Sequence, residues 1–586
     1  MTEMDAPGTI NAAAEGATAV PHDEDSPDRR GRLPGWRTVV AVGIVGVAFA
    51  LPLRALFRYQ GPPMEEGFML VFPERVLRGA LPNRDFLHLY GPGSLWALAG
   101  WFKAFGVSLA SERIFGMLQL LGIIFGVFVL ALPWGRKAAT AAGLVGVLIS
   151  LTAIGLTALA WDGAVALALA GLVIGLRARR RIVEQNGPDA PPLTRVRALL
   201  GGSGLLAGLA LLFRPDLVIG VALGFGAVLW GLGRVRWKAF ALGLLAGLLP
   251  YLIQLTTAGP GHSVQGMVLD PVFKLRGGRS LPVPPSWNAY DGALQGVAQL
   301  RVPHWSLPAL VTTHQIVVWF FLLPLVTLAT VAVGIWRVRA EPEAWRPRIL
   351  LAVGLFGLGI MSQALQRPDT THLSWVSCVP LAFLPAVVAE VAGHLPLRFV
   401  RRQAGTLGAA AGLGLLLVAI PHFTYRTYGD LTNQTFGHDI FGYPVQRGRR
   451  VFYLGSEPVT KSARRLVADL GRESKAGQRL FVGTADLRKT PYSDAYLYYL
   501  MPELTPATYY IEMDPGVANG QRSGLADEVA HSDWLVLSHV WDNWREDNDS
   551  KKFGPDAPNE VVRRQFCLVR DYDGNFELYH RCHPPG

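Results

Sequence analysis

Two adjacent carboxylates, Glu65 and Glu66, follow shortly after the first long apolar segment of the chain, residues 36–57. Charged groups at a membrane surface are costly unless water or a function compensates them. Adjacent helical positions point about 100° apart, so one acid can face a cavity while the other caps the helix or faces solvent. A carboxylate within reach of a hydroxyl can act as its general base. An equally weighted alternative is that both acids stabilise the start of a helix through its dipole.

A third acid, Asp85, lies next to Arg84 in the segment Arg-Asp-Phe, between the acidic pair and the sequence Tyr-Gly-Pro that ends at Pro92. It is the second candidate for acid–base chemistry after the pair. A structural salt bridge with the neighbouring arginine explains it equally well.

The elements that position these acids are membrane spans. Half of the 586 residues are hydrophobic and 17% are charged, whereas soluble domains carry about 25% charged residues. A span needs about 20 mostly apolar residues. Eleven segments come close to this criterion: 36–57, 113–133, 138–157, 160–176, 198–213, 217–233, 239–255, 310–336, 349–364, 374–393 and 405–421.

Arginines set the orientation of these spans. The net charge is +11, which raises nucleic acid as a partner, but the arginines cluster in every second connection. Loops rich in Lys and Arg stay in the cytoplasm, so the basicity reflects topology and nucleic acid is not an expected partner. The N-terminus is predicted to be cytoplasmic, with residues 1–35 forming a disordered tail. Residues 58–112 then form an outer loop, in which 90–105 is expected to be a helix lying on the membrane surface.

Residues 422–586 are predicted to form an extracytoplasmic α/β domain. Helices are expected near 460–474 and 524–531, and strands at 479–482 and 533–538. A hairpin is predicted where 566–570 and 576–580 flank Asp-Gly-Asn. A turn at Gly574-Asn575 would place Cys567 opposite Cys582, and a shift of one residue would leave them diagonal. A disulfide between them is therefore expected. The aromatic residues of this domain favour an ordinary core over a carbohydrate-binding surface, about two to one: Trp534, Trp541, Trp544, Tyr496, Tyr498 and Tyr499.

The acidic pair after the first span, the following Arg-Asp-Phe and Tyr-Gly-Pro, and the surface helix together resemble the GT-C superfamily of membrane glycosyltransferases that use polyprenyl-phosphate sugars, in particular its actinobacterial members. The resemblance covers the whole architecture. It implies a polytopic α-helical membrane protein of about eleven spans, 36–421, with a small α/β domain at 422–586. This chain has Glu-Glu where the family usually has Asp with Asp or Glu.

The resemblance also implies roles for individual residues. Glu66 is the preferred general base, followed by Glu65 and Asp85, in an inverting transfer to a glycan, lipid or protein hydroxyl at the outer face of a bacterial cytoplasmic membrane. A retaining reaction would need a second carboxylate about 5 Å away. Arg367 is the leading ligand of the donor phosphate, followed by His372 and Arg214, although snorkelling to water explains such cations too. No metal ligand is assigned and no cofactor is certain, but paired acids could hold a divalent ion.

A connection at 257–308 is rich in Gly and Pro and is expected to be irregular, either a mobile cover over the site or an inert loop. The competing function is a non-catalytic GT-C-like scaffold or a transporter of lipid-linked sugars. A transporter would more often show internal repeats, and no clear repeat is found. The sequence does not identify the sugar.

Overall fold

The structure is a computed structural model, which describes residues 35–151, 155–183, 193–297, 307–342, 344–437 and 442–583. Nearly all of the tail predicted at 1–35 lies outside these residues. The α-helices are α1 (Trp36–Ala50), α2 (Leu53–Leu56), α3 (Glu65–Leu77), α4 (Gly93–Phe105), α5 (Leu109–Ala131), α6 (Arg136–Ser150), α7 (Ala160–Val183), α8 (Leu193–Phe213), α9 (Val218–Leu229), α10 (Arg234–Leu248), α11 (Pro250–Thr257), α12 (Pro260–Val264), α13 (Arg276–Arg279), α14 (Ala293–Val297), α15 (Thr312–Ala340), α16 (Trp345–Ile360), α17 (Ser362–Gln366), α18 (Thr370–Ser377), α19 (Pro380–His394), α20 (Arg398–Arg402), α21 (Ala404–Ala419), α22 (Thr427–Phe436), α23 (Glu457–Glu473), α24 (Tyr496–Leu500), α25 (Leu525–Ala530) and α26 (Ala557–Gln565).

Long apolar helices dominate the first three quarters of the chain. Within the described residues, seven are long and apolar enough to cross a membrane, and up to nine if two bent helix pairs each count as one span. The seven are Trp36–Leu56, Leu109–Trp134, Ala160–Val183, Thr194–Phe213, Arg234–Thr257, Thr312–Ala340 and Trp345–Gln366. The two pairs are α18 with α19, bent by 41°, and α21 with the helix His422–Phe436, bent by 93°.

Helices α6 and α9 occupy the other two predicted spans, 138–157 and 217–233. They have 15 and 12 residues, so they fall short of the roughly 20 residues that a straight span needs. The total of eleven spans therefore stays a prediction, although each of the eleven segments does contain a helix.

The first loop contains α3 and α4, which pack on each other and on the C-terminal part of the chain. Their apolar side chains share one core with residues from the strands and helices beyond 443. Gly67 shows how close the approach is, because a Cβ there would lie 2.5 Å from the backbone nitrogen of Tyr496. The start of α3 is thereby fixed between the membrane helices and the C-terminal domain. The helix predicted at 90–105 is present as α4.

The connection predicted to be irregular at 257–308 is largely helical over its first half. It contains α12, a π-helix at Gln265–Leu275 and α13. Two contacts of Arg279 hold this connection in place. Its side chain is ion-paired with Asp514, and its carbonyl oxygen accepts a hydrogen bond from Arg367 at 2.8 Å. Residues 298–306 of this connection lie outside the described residues.

Strands appear only after the last membrane helices in the described chain. They are β1 (Tyr443–Arg447), β2 (Arg450–Leu454), β3 (Arg479–Thr484), β4 (Thr505–Pro506), β5 (Trp534–Ser538), β6 (Phe566–Tyr572) and β7 (Phe576–Arg581). β1 and β2 form a hairpin, and the others form one mixed sheet in the order β4-β3-β5-β7-β6. The helix His422–Phe436 continues from α21 and precedes these strands, so the proposed domain start at 422 falls at the bend rather than at the first strand.

The β6–β7 hairpin has a different register from the one predicted. Cys567 lies opposite His580 rather than opposite Cys582, because the strands meet across Tyr572 and Phe576 and a bulge interrupts the pairing near Leu568. The two cysteines are therefore diagonal. Their Cα atoms are 5.7 Å apart and the disulfide is present, as expected from the sequence.

Candidate active site

A cavity of about 360 Å³ lies between the membrane helices and the C-terminal domain. It takes one wall from the end of the first span and from the first turn of α18, where Thr370 and Thr371 line it. The opposite wall comes from residues beyond 454. Glu65, at the first position of α3, lies on this cavity, while Glu66 is not among its lining residues.

The carboxylate of Glu65 is held by the C-terminal part of the chain. The Tyr492 hydroxyl donates a hydrogen bond to Glu65 Oε2. Burial raises the pKa of Glu65 above its ordinary value, while the Tyr492 hydrogen bond and the positive charges of Arg279 and Arg367 act in the opposite direction. A carboxylate with a raised pKa binds a proton more readily, which suits a general base.

Three aromatic rings form one wall of the cavity. The ring of Tyr492 lies 4.5 Å from that of Trp541 and 4.8 Å, nearly parallel, from that of Trp544. All three rings line the cavity, whereas Tyr496, Tyr498, Tyr499 and Trp534 are buried in the domain core. The aromatic residues considered together in the sequence thus divide into a core set and a cavity set.

A second acid, Asp494, lines the same cavity. Trp541 Nε1 donates a hydrogen bond to its Oδ2 at 2.9 Å. Burial raises the pKa of Asp494 to about 6, and hydrogen bonds from Ser538 and Trp541 oppose that rise. The cavity therefore holds two carboxyl groups that are separated in the sequence by more than four hundred residues.

Glu66 occupies a different environment from its neighbour. Its carboxylate accepts two hydrogen bonds from the Arg113 guanidinium, at 2.6 Å from Nε and 2.7 Å from Nη2. Both side chains are almost fully buried, with 1% exposure for Glu66 and 3% for Arg113. Arg113 also donates to the carbonyl oxygens of Leu56 and Tyr59. Arg113, at the start of α5, therefore contacts both Glu66 in the first turn of α3 and the end of the first span.

Asp85 stabilises its own loop. Its Oδ2 accepts a hydrogen bond from the Leu81 backbone nitrogen at 2.7 Å, and its carboxylate pairs with Arg84 at 2.9 Å. The Arg84 guanidinium lowers the pKa of Asp85. Asp85 does not line the cavity among the described residues, and its contacts are those of a turn-forming residue.

The predicted phosphate ligand Arg367 is buried and carries several ion pairs. Its Nε donates to Asp369 at 2.6 Å, and Nη1 and Nη2 bind the Glu546 carboxylate. The negatively charged partners come from the neighbouring residues and from the C-terminal domain. Arg367 thus contributes positive charge near Glu65 while most of its hydrogen-bond donors are already used.

The other two candidate cations are paired as well. Arg214 binds Asp216 through two hydrogen bonds of 2.8 and 2.7 Å, and its guanidinium lies 4.3 Å from the Tyr90 ring centre. His372 Nδ1 lies 2.9 Å from Asp369 Oδ1, and its side chain is about one-fifth exposed. Neither residue lines the cavity among those described.

The acidic pair does not present its oxygens to a common ion. One Glu65 oxygen binds Tyr492, and both Glu66 oxygens face Arg113. Among the described residues, one group of three ligands lies close enough for a metal, and two of its members are the disulfide-bonded cysteines. The residues at 65 and 66 thus do not fit a shared divalent cation.

Sequence reasoning missed the contributions of Arg113, Arg279 and Tyr492. The position of Arg113 does indicate a buried partner, because an arginine in the first turns of an apolar span is costly unless it is paired. Tyr492 gave none: its contact with Glu65 joins positions 427 residues apart, which no local pattern encodes.

Comparisons with known proteins agree with this architecture. The structure is similar to that of ArnT from Cupriavidus metallidurans bound to undecaprenyl phosphate, with a TM-score of 0.50, 14% identity, and coverage of 93% of this chain and 98% of that one. The archaeal oligosaccharyltransferase AglB from Archaeoglobus fulgidus, in complex with an inhibitory peptide and a dolichol-phosphate, aligns with a TM-score of 0.47, 11% identity, and coverage of 94% and 75%. No family model matches the sequence, and no curated protein matches it. The chain is a multi-pass membrane protein whose fold is similar to that of ArnT.

Proposed function

We propose that this protein is an inverting glycosyltransferase that moves a sugar from a polyprenyl-phosphate donor to a hydroxyl acceptor. The observation that carries the proposal is the placement of Glu65, a carboxylate with a raised pKa, on an aromatic-walled cavity of a GT-C fold. The similar ArnT structure contains undecaprenyl phosphate, which supports a donor of this chemical class.

Glu65 is the proposed general base, in place of the initially preferred Glu66. Tyr492 binds Oε2, which leaves Oε1 to accept the proton of the acceptor hydroxyl. The acceptor oxygen forms a bond to the anomeric carbon as the bond from that carbon to the phosphate oxygen breaks. The polyprenyl phosphate leaves with the electron pair, and the anomeric carbon inverts. Glu66 is a positioning residue that fixes the first turn of α3 through Arg113.

The aromatic wall is the proposed binding surface for the transferred sugar or the acceptor sugar. Pyranose and furanose rings carry faces of C–H groups, and flat aromatic rings bury such faces while hydroxyl groups remain available for hydrogen bonds. Tyr492 and Trp544 are nearly parallel, and Asp494 and the two threonines of α18 supply polar groups around the rings.

Positive charge for the leaving phosphate is proposed to come from Arg367 and Arg279. Both guanidinium groups act electrostatically on Glu65, so they lie near the reacting centre. Preorganised charges near a developing anion lower the barrier to its departure. His372 and Arg214 stay secondary candidates, because their described contacts are with carboxylates and aromatic rings outside the cavity.

The orientation follows the distribution of arginines. We propose a cytoplasmic N-terminus, membrane-spanning helices over 36–421, and an extracytoplasmic domain over 422–586 in a bacterial cytoplasmic membrane. The active site then lies at the outer face, on the loop 58–112, where a cell-envelope glycan, lipid or protein is the acceptor. The disulfide Cys567–Cys582 suits an oxidising compartment.

The test compares Glu65→Gln with Glu66→Gln in a strain from which the gene is deleted. Cell-envelope glycans are analysed after complementation with each variant and with the wild-type protein, at matched protein levels in the membrane. We expect the deletion to lose a glycan component, the wild-type protein to restore it, and Glu65→Gln to fail. Removing a general base lowers rates by roughly 10²- to 10⁴-fold. Full restoration of the glycan component by Glu65→Gln would refute the assignment of Glu65 as the base.

The anomeric configuration of the product provides a separate check on mechanism. NMR of the glycosidic linkage, compared with that of the donor, should show inversion. Retention would instead require a covalent intermediate on a second carboxylate, and Asp494 would then become the nucleophile to test.

A non-catalytic scaffold or a transporter of lipid-linked sugars is the alternative. Such a protein needs the fold and the cavity but no base, so Glu65→Gln would leave the glycan profile unchanged. The complementation experiment therefore distinguishes the two functions.

A further inference from the structure

A second, larger cavity lies at the opposite end of the helix bundle from Glu65. Its volume is about 1180 Å³. Thr38, near the start of the first span, lines it, whereas Leu56, at the other end of that span, lines the cavity that contains Glu65. The predicted topology places this second cavity at the cytoplasmic side.

Its lining combines arginines with apolar walls. The arginines come from separate segments: Arg136, Arg177, Arg180, Arg346 and Arg401. They begin α6, end α7, begin α16 and lie on α20. Segments that are distant in sequence therefore bring their positive charges to one concave surface. Orientation of the spans requires arginines in these loops, but it does not require them to converge on one cavity.

Three of these arginines, Arg177, Arg346 and Arg401, make no ion pair within the part of the chain that the structure describes. Of the lining residues that the structure describes, Glu390 is the one carboxylate. It accepts hydrogen bonds from Trp134 Nε1 at 2.6 Å and from Arg337 Nε at 2.7 Å. Its charge is thus already matched by Arg337, which is buried and outside the cavity lining.

The apolar part of the lining indicates what kind of anion fits. The same cavity has aliphatic surface from Val129, Leu130, Val173, Leu176 and Ile349. A small inorganic anion would leave this surface in contact with water. A phospholipid would place its phosphate among the arginines and its glycerol and upper acyl groups against the aliphatic side chains. Basic pockets between membrane helices are suited to acidic lipid headgroups.

We propose that this cavity binds the phosphate headgroup of an anionic phospholipid. The site is separate from the cavity of Glu65 and does not depend on the proposed glycosyl transfer. Arg180 lies 4.8 Å from the ring centre of Trp345, and Arg346 donates to the Pro133 carbonyl oxygen. These contacts hold two of the guanidinium groups at the cavity before a lipid arrives.

The test uses the delipidated full-length protein in neutral detergent and measures lipid binding by native mass spectrometry. The probes are dioleoyl phosphatidylglycerol, dioleoyl phosphatidylcholine and inorganic phosphate. The wild-type protein should bind phosphatidylglycerol at least tenfold more tightly than phosphatidylcholine. Equal affinity for the two lipids would overturn the proposal. Inorganic phosphate binding as tightly as phosphatidylglycerol would also overturn it, because the aliphatic walls would then contribute nothing.

A variant and a matched control locate the binding. The triple variant R177Q/R346Q/R401Q removes three charges from the cavity, and R234Q/R398Q/R402Q removes three exposed charges outside its lining. Each basic group near an anionic headgroup contributes about fivefold to affinity. We expect the first variant to lose at least tenfold in phosphatidylglycerol affinity and the control to lose less than threefold. Equal losses in both variants would show that binding is nonspecific and would refute the site.

Discussion

At the scale of single residues, the two adjacent glutamates have different surroundings. Glu65 faces a cavity and a tyrosine hydroxyl, whereas Glu66 is locked in a buried ion pair. The roughly 100° between neighbouring helical positions separates the two carboxylates. The sequence predicts that the two carboxylates point apart, but it does not predict which of them faces the cavity. That depends on the contacts of Glu66 with Arg113 and of Glu65 with Tyr492, which is distant in the sequence.

The pH dependence of transfer should report the raised pKa of Glu65. The base must be ionised, so activity falls as the pH decreases through that pKa, and the acidic limb of kcat/KM should lie above the ordinary glutamate value of 4.5. Tyr492→Phe removes a hydrogen bond that lowers this pKa, so the limb should move to higher pH. If the acidic limb of the kcat/KM profile has the same midpoint in Tyr492→Phe as in the wild-type protein, this role of the tyrosine is contradicted.

Replacing Glu66 should affect folding rather than proton transfer. Glu66→Gln leaves the buried Arg113 charge without its partner, which costs roughly 3–5 kcal/mol in the free energy of unfolding. Thermal unfolding in detergent measures the loss, and the double variant E66Q/R113Q should recover part of it because both charges of the Glu66–Arg113 pair are then removed. Glu65→Gln is the matched control and should unfold near the wild-type temperature.

At the scale of elements, local sequence patterns located most of the helices and strands. The strands at 479–482 and 533–538 and the helix at 460–474 all occur, with shifted ends. The hairpin β1–β2 and the helix α26 were not predicted. The β6–β7 pairing leaves the cysteines diagonal, which was the second of the two registers considered from the sequence. A bulge and a three-residue connection replace the two-residue turn, and turn chemistry alone does not reveal a bulge.

The disulfide across β6 and β7 should stabilise the C-terminal sheet. The cysteines are 15 residues apart, and closing a loop of that size contributes roughly 3 kcal/mol. C567S/C582S should therefore lower the unfolding temperature of the protein in non-reducing buffer, while transfer by the folded fraction persists because neither cysteine lines the cavity. Identical unfolding of wild type and variant in non-reducing buffer would contradict the stabilising role.

At the scale of the whole molecule, the cavity exists because two parts of the chain dock. The membrane helices supply one wall and residues beyond 454 supply the other. The resemblance to GT-C proteins predicted both parts and their order, and the similarity of the fold to that of ArnT agrees with the architecture that it implies. The docking itself was not predictable, because it depends on contacts such as Arg367 with Glu546 across 179 residues.

Gly67 offers a test of this docking. A methyl group at position 67 would lie within 3 Å of the Tyr496 backbone, so Gly67→Ala should push α24 away from α3 and separate Tyr492 from Glu65. Transfer should fall at least tenfold, and hydrogen exchange should rise over 492–500. Gly100→Ala is the control, since nothing lies within 4 Å of a Cβ there and alanine favours a helix. Equal activity of the Gly67→Ala and Gly100→Ala variants would contradict this prediction, because it would show that α3 and α24 can accommodate a methyl group between them.

The cavity between the membrane helices and the C-terminal part of the chain also has a consequence for biosynthesis. Glu65 precedes Tyr492 by 427 residues, and Asp494, Trp541 and Trp544 come later still, so Glu65 is synthesised long before them. A partly synthesised chain can insert its helices, yet it has neither the aromatic wall nor the hydroxyl that binds Glu65. The cavity is therefore complete only after Trp544 has been synthesised, and we expect a shorter nascent chain to be unable to perform the proposed transfer.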